Sequence, residues 1–265
     1  GGEAYYASRL AAHTTTSLSA ADIHELGLSE VARIHEEMRA IVQKVGFSGD
    51  LKEFFAYLRT NPKFYYPPTT EGKSAYVARA ESIIEAMRAR LYEVFVHVPR
   101  AKLVVKPVEA FREQSATAAF YQGSSAFDGR PGTYYINTYD MKVMSKYEME
   151  ALAYHEAIPG HHLQIAIAQE LDDLPRFRRF STYTAYDEGW GLYCERLAKD
   201  MGFYEDPYSD FGRLSSELWR ACRLVVDPGI HMGATRWTRA RAIAYLTENT
   251  PNSPGDIVSS VERYI

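Results

Sequence analysis

Cysteine is nearly absent: Cys194 and Cys222 are the two in 265 residues. Two cysteines build no disulfide framework. Both fall in segments of helical pattern and are expected to pack as small apolar groups. A basic excess is missing as well. Thirty Lys and Arg stand against 34 Asp and Glu, a net charge of −4 with a pI near 6.1. That balance, with no long run of like charge, excludes the electrostatic footprint of a nucleic-acid binder. No stretch approaches the ~20 apolar residues of a membrane-spanning helix. The opening Gly1-Gly2-Glu3-Ala4-Tyr5-Tyr6 lacks the basic-then-apolar pattern of a secretory leader and reads as the interior of a longer chain. Repeats and low-complexity tracts are absent.

What is there is an ordinary globular composition, 46% hydrophobic,. The twenty tyrosines are a residue type that edges cores and also lines polar peptide clefts. The length suffices for a sizeable core.

Most of the chain reads as helix. Ser19 is placed to cap a helix whose apolar positions Leu26, Val31, Ile34, Met38, Ile41 and Val45 recur at helical spacing, with Gly46 ending it. Leu51 to Leu58 forms a short amphipathic helix closed by Asn61-Pro62. Residues 70–96 form another, burying Tyr76, Ile83, Ile84, Met87 and Leu91. Lys102 to Val108 and Thr133 to Thr138 are β-branched and extended, hence strands. Between them, Gly123-Ser124-Ser125 and Asp128 to Gly132 are dense turn chemistry. Leu174 to Phe180 is expected as a basic-aromatic loop. A long helix from Ser209 to Val226 should turn at Asp227-Pro228-Gly229-Ile230-His231. Thr238 to Thr247 is helical, and Ser253 caps the last helix.

The most informative stretch is Tyr154-His155-Glu156-Ala157-Ile158-Pro159-Gly160-His161-His162-Leu163-Gln164. His-Glu followed closely by His is the pattern of a zinc hydrolase helix, where two imidazoles bind metal and the glutamate activates water. The usual spacing places the second histidine four residues after the first, and Pro159 occupies that position. In a straight helix His161 would lie roughly 240° around from His155, and His162 about 10 Å along the axis. Pro159 removes one helical N–H and crowds the preceding turn, and Gly160 accepts whatever backbone follows. The residues therefore predict a break that brings a histidine, His161 or His162, back to His155. The plainer alternative is a helix-breaking Pro-Gly with incidental histidines. Downstream, Asp187-Glu188-Gly189-Trp190-Gly191-Leu192-Tyr193-Cys194-Glu195 puts Glu188 and Glu195 on one helix face. Catalytic zinc usually takes three protein ligands and keeps one position open, so Glu188 is the candidate third ligand.

HEAIPGHHLQ followed by DEGWGLYCE resembles the bacterial family called "domain of unknown function 885", itself similar to gluzincin-type zinc metallopeptidases. The resemblance implies a zinc-dependent peptide hydrolase. Zn²⁺ would be held by His155, His161 and Glu188, with Glu156 as general base and Asp187 or Glu195 orienting ligands. The implied fold is mainly α, with a small antiparallel sheet beside a kinked zinc-binding helix. The expected organisation is a single domain over 1–265, with a helical subregion over 1–100 and a strand-containing catalytic subregion over 101–265. An edge strand at 133–138 would pair with substrate backbone, so Tyr121, Tyr135 and Asn137 are candidate substrate contacts. His231 is the candidate oxyanion donor, and Arg223 and Tyr245 are weaker candidates. Family members extend further on both sides, which implies a C-terminal-half fragment. Some are cytoplasmic and some exported as lipoproteins. The rival readings are a non-catalytic peptide-binding or pseudoenzyme domain, and a hydrolase of non-peptide amides or esters.

Overall fold

The structure, a computed structural model, describes residues 1–125, 128–233 and 236–265. Four helices come first: α1 (Gly2–Thr14), α2 (Ala20–Lys44), α3 (Leu51–Thr60) and α4 (Thr70–Arg88). Three strands follow: β1 (Leu103–Pro107), β2 (Ala119–Gln122) and β3 (Gly132–Ile136). Then come α5 (Met149–Glu156), α6 (His161–Glu170), α7 (Arg176–Phe180), α8 (Thr184–Asp200), α9 (Pro207–His231), α10 (Arg239–Asn249) and α11 (Pro254–Tyr264). The fold is mainly α with one small sheet, as the periodicity predicts. No described helix is long and apolar enough to cross a membrane.

The chain forms two compact units, one of Gly1–Phe64 with Asp210–Ile265 and the other of Tyr65–Ser209. The expected division near residue 100 does not coincide with this one. Apolar periodicity marks which residues turn inward on a helix but not which helices share a core.

In the first unit, Ser19 and Asp22 form a reciprocal capping box at the start of α2, and Asp50 and Glu53 do the same for α3,. The α2 stripe Ile23, Val31, Ile34, Met38 and Ile41 is buried, and the Phe54 ring meets Phe211 edge-on at 4.9 Å. Arg213, 1% exposed, is held by Asp210 at 2.8 Å and Glu217 at 3.2 Å. The turn expected at Asp227 to His231 is instead the last turn of α9, which runs through Pro228. A proline so near a helix end interferes with a single backbone bond. The Met232 N–H then donates to the Pro228 carbonyl at 2.7 Å, and the Trp237 N–H to that of Gly229 at 2.8 Å.

The second unit is built on α4, the sheet, α5 and α8. Its core gathers Tyr76, Ile83, Ile84 and Met87 with Tyr134, Ile136, Met149, Ala153, Tyr154, Leu163 and Ala198. The strand order is β1-β3-β2, with β1 parallel and β2 antiparallel to β3. The sheet is thus mixed rather than antiparallel. The excursion carrying β2 between β1 and β3 is long enough to return the chain in the same direction. β3 is central and buried along its whole length, so the strand expected at the edge is not an edge. β2 went unrecognised in the sequence because its four residues sit amid turn formers. α7 replaces the expected loop, and α4 stops at Arg88 rather than continuing to 96.

Candidate functional site

The predicted helix break is present between α5 and α6. The last bond of α5 runs from the Ala157 N–H to the Ala153 carbonyl at 2.9 Å. Ala157 then leaves helical geometry at φ −100, ψ −107, and the Ile158–Pro159 bond is cis. The His162 N–H reaches back to the Ala157 carbonyl at 3.0 Å, and Gln164 to Gly160 at 3.1 Å opens α6. A side chain at position 160 would begin 1.9 Å from the His155 carbonyl oxygen, so only glycine allows this fold-back,. The Trp190 indole of α8 donates to the Pro159 carbonyl at 2.9 Å and ties the break to its neighbour.

The break separates the two adjacent histidines. His162 is buried, with Nε2 3.2 Å from the Ala101 carbonyl and Nδ1 2.9 Å from the Tyr121 hydroxyl. A carbonyl only accepts, so Nε2 carries the proton and Nδ1 accepts from Tyr121. Burial pushes the imidazole pKa down to about 4, opposed by the Ala101 hydrogen bond,. Both ring nitrogens of His162 are therefore occupied within the fold. The His161 ring meets His155 edge-on at 4.7 Å.

One ligand atom from each of His155, Glu156 and His161 lies within 4.8 Å of the others. Glu188 joins them from α8: one carboxylate oxygen is 3.5 Å from His155 Nε2 and the other 3.9 Å from His161 Nε2. On the far side of His155, Nδ1–H donates to Glu195 at 2.8 Å. Glu195 is buried, while the Glu188 side chain is 48% exposed. A buried carboxylate thus fixes the tautomer of His155 and leaves Nε2 facing the cluster, the arrangement that supports metal-ligating histidines. Two ligands of one ion at about 2.0–2.1 Å in tetrahedral geometry stand about 3.3 Å apart. The 3.5 and 3.9 Å separations are wider than that and run to different oxygens of Glu188; His155, Glu156, His161 and Glu188 are the residues that could hold a small divalent metal,. Asp187, placed beside Glu188, has its carboxyl pKa raised by burial and then by the Glu188 charge.

The remaining candidates fall elsewhere. Tyr121 orients His162. Tyr135 stacks on Phe120 at 5.0 Å under the Arg112 guanidinium. The Asn137 amide donates to the Glu113 and Ala116 carbonyls at 2.7 and 3.0 Å, clamping a loop. His231, Arg223 and Tyr245 belong to the first unit. There, His231 Nε2 donates to the Tyr264 carbonyl at 2.8 Å beside the Tyr6 ring. Arg223 lies over Trp219 and Tyr245 packs on Trp237. The sequence reading misses the contribution of Trp190, whose place between two glycines in an otherwise helical stretch was the available signal.

The whole chain, residues 1–265, matches the family described as "Bacterial protein of unknown function (DUF885)". The crystal structure of a "putative lipoprotein" from Colwellia psychrerythraea superposes with a TM-score of 0.94 at 40% identity, covering 99% of this chain and 45% of that one. A "putative lipoprotein of unknown function" from Shewanella oneidensis superposes at 0.79 with 18% identity, covering 99% and 49%, and shows a shared fold. This chain therefore spans less than half the length of each. No curated protein matches. With the family match running from the first residue to the last, the chain belongs to the bacterial DUF885 family.

Proposed function

We propose that this chain carries the metal site of a zinc-dependent hydrolase whose substrate is a peptide. The observation that carries the reading is the convergence of His155 Nε2, His161 Nε2 and the Glu188 carboxylate, backed by Glu195 on His155. Two imidazoles and a carboxylate are a donor set suited to zinc. His155, His161 and Glu188 would hold it, and when bound it supplies positive charge that polarises a carbonyl and acidifies nearby water.

The chain's own residues account for the rest. Glu156 follows His155 directly, and its carboxylate belongs to the same cluster. From there it takes a proton from the attacking water and passes it to the leaving amine. Glu195 keeps Nδ1 of His155 protonated, so the ring presents Nε2 throughout. His162, its two nitrogens engaged by Tyr121 and Ala101, anchors the start of α6 and takes no part in the cluster. Peptide rather than another acyl substrate rests on the resemblance of HEAIPGHHLQ and DEGWGLYCE to gluzincin peptidases. The lipoprotein name of the Colwellia neighbour supports an exported location for the whole protein, which fractionation of cells expressing the full-length gene tests.

The decisive experiment is elemental analysis of the purified chain after zinc loading and dialysis, followed by a panel of peptides and esters. About one zinc per chain is expected, lost in His161→Ala and retained in Glu156→Gln. Zinc-free wild-type protein with an intact fold would end the reading. Cleavage of esters but not peptides would move the substrate class.

A further inference from the structure

α8 presents two glycines two residues apart, Gly189 and Gly191, and they face different surroundings. A Cβ built at Gly189 meets nothing within 4 Å. One built at Gly191 stands 2.5 Å from Cε1, 2.7 Å from Nε2 and 2.8 Å from Nδ1 of His155. Three ring atoms at nearly equal distances mean that the position lies over the face of the imidazole, not beyond its rim. The His155 ring therefore rests flat against the backbone of α8. Both glycines cost the helix conformational entropy that alanine would not. At position 189 nothing packs in the space so left, whereas at position 191 a ring fills it.

We infer that Gly191 is a positioning residue: its missing side chain sets the plane of the His155 imidazole, and so the direction of Nε2. The hydrogen bond to Glu195 fixes one atom of the ring, Nδ1, at 2.8 Å. A hydrogen bond at one atom restrains tilt weakly, the His161 ring meets the imidazole edge-on, and the flat contact on the face adds a restraint on the ring plane. The Glu195 and Gly191 constraints come from the same helix, four residues apart, and so act on one side of the ring together. Glu188 projects from that helix as well, so ring plane and carboxylate are set by one rigid element. Ligand geometry tolerates little error, and supporting residues of this kind typically change metal affinity by about 10–100-fold. The link to metal rests on the reading given above, but the packing of the ring does not.

The experiment compares Gly191→Ala with Gly189→Ala, and repeats both in a His155→Ala background. Gly189→Ala should keep zinc affinity and leave the melting temperature unchanged or slightly raised. Gly191→Ala should bind zinc at least about tenfold more weakly and melt lower. Removing the His155 ring frees the space, so in His155→Ala protein the Gly191→Ala change should become as benign as Gly189→Ala. That rescue is read from thermal melts, needs no metal, and applies even if Gly191→Ala alone folds poorly. A second readout is the slowly exchanging imidazole Nδ1–H resonance of His155 in metal-free protein. It should persist in Gly189→Ala and be lost or shifted in Gly191→Ala. If wild-type protein holds no zinc, the metal reading fails, and the thermal cycle and the Nδ1–H resonance still judge the ring contact. Additive melting shifts in the cycle, an unchanged resonance, or equal zinc affinity in the two alanine variants would overturn the role of Gly191.

Discussion

The two units of this protein arrange charged groups in different ways. In the first, Arg213 is enclosed by the carboxylates of Asp210 and Glu217, and Arg33 is paired with Glu30, Glu37 and Glu217. Cation meets anion, and the network closes on itself. In the second, His155, Glu156 and His161 draw together, with Glu188 beside the two imidazoles and Glu195 behind. Closed networks of opposite charge hold helices together, while lone pairs aimed at a shared point are the chemistry a cation requires. On the proposed reading, Gly1–Phe64 with Asp210–Ile265 is a packing unit, and Tyr65–Ser209 carries the candidate site.

The comparison breaks most directly at Glu156. Glu156→Gln is isosteric and leaves His155, His161 and Glu188 in place, but it cannot take a proton. Zinc content should match wild type, and hydrolysis of a responsive substrate should fall by about 10²–10⁴-fold. Near wild-type turnover would separate the cluster from the chemistry. The two adjacent histidines sharpen the same point. His161→Ala should lose stoichiometric zinc with little change in melting temperature. His162→Ala should keep zinc but destabilise the second unit, since it strands the Tyr121 hydroxyl and the Ala101 carbonyl,. The reverse pattern, by elemental analysis and thermal melts, would exchange their roles.

These two histidines also show where sequence reading reaches its limit. Helical arithmetic is enough to say that Pro159 and Gly160 interrupt the helix and that some histidine returns to His155. It does not say which, because the answer depends on a partner on another element: Tyr121 of β2 takes the His162 ring. Glu188 and Glu195 were legible as one helix face, while their division into cluster member and His155 partner depends on how α8 packs on α5. The same holds for the fold. Ser19 and Ser253 announce their helices because a cap is a local contact,. The parallel pairing of β1 with β3 and the placement of His231 in the first unit are set by distant residues.

A change in the first unit should leave the cluster untouched. Phe54 is fully buried against Phe211 and Phe47. Phe54→Ala should cost about 3–5 kcal/mol by removing a core ring. Denaturant unfolding would measure it, and zinc stoichiometry below the midpoint should equal that of wild type. Loss of zinc in the folded protein would show that the two units are not separable in this sense.

The smallest effect is a pH dependence belonging to the first unit alone. His35 is half-buried, and its Nε2 donates to the Asn249 carbonyl at 3.0 Å. Burial holds its pKa below the ordinary 6.5, opposed by that hydrogen bond,. With the folded pKa depressed, the unfolded chain takes up the proton first as pH falls. The contribution of neutral His35 is therefore fully present above about 6.5 and is lost as pH drops from there towards the lowered folded value. His35→Gln keeps a donor for the Asn249 carbonyl and removes the titration. Its stability curve should be flatter than wild type below pH 6.5 and parallel to it above. Because His35 lies outside the second unit, the difference should be the same in zinc-loaded and zinc-stripped protein. A difference that appears only with zinc bound would mean that the proton is felt at the cluster, and the division between a packing unit and a reactive unit would fail.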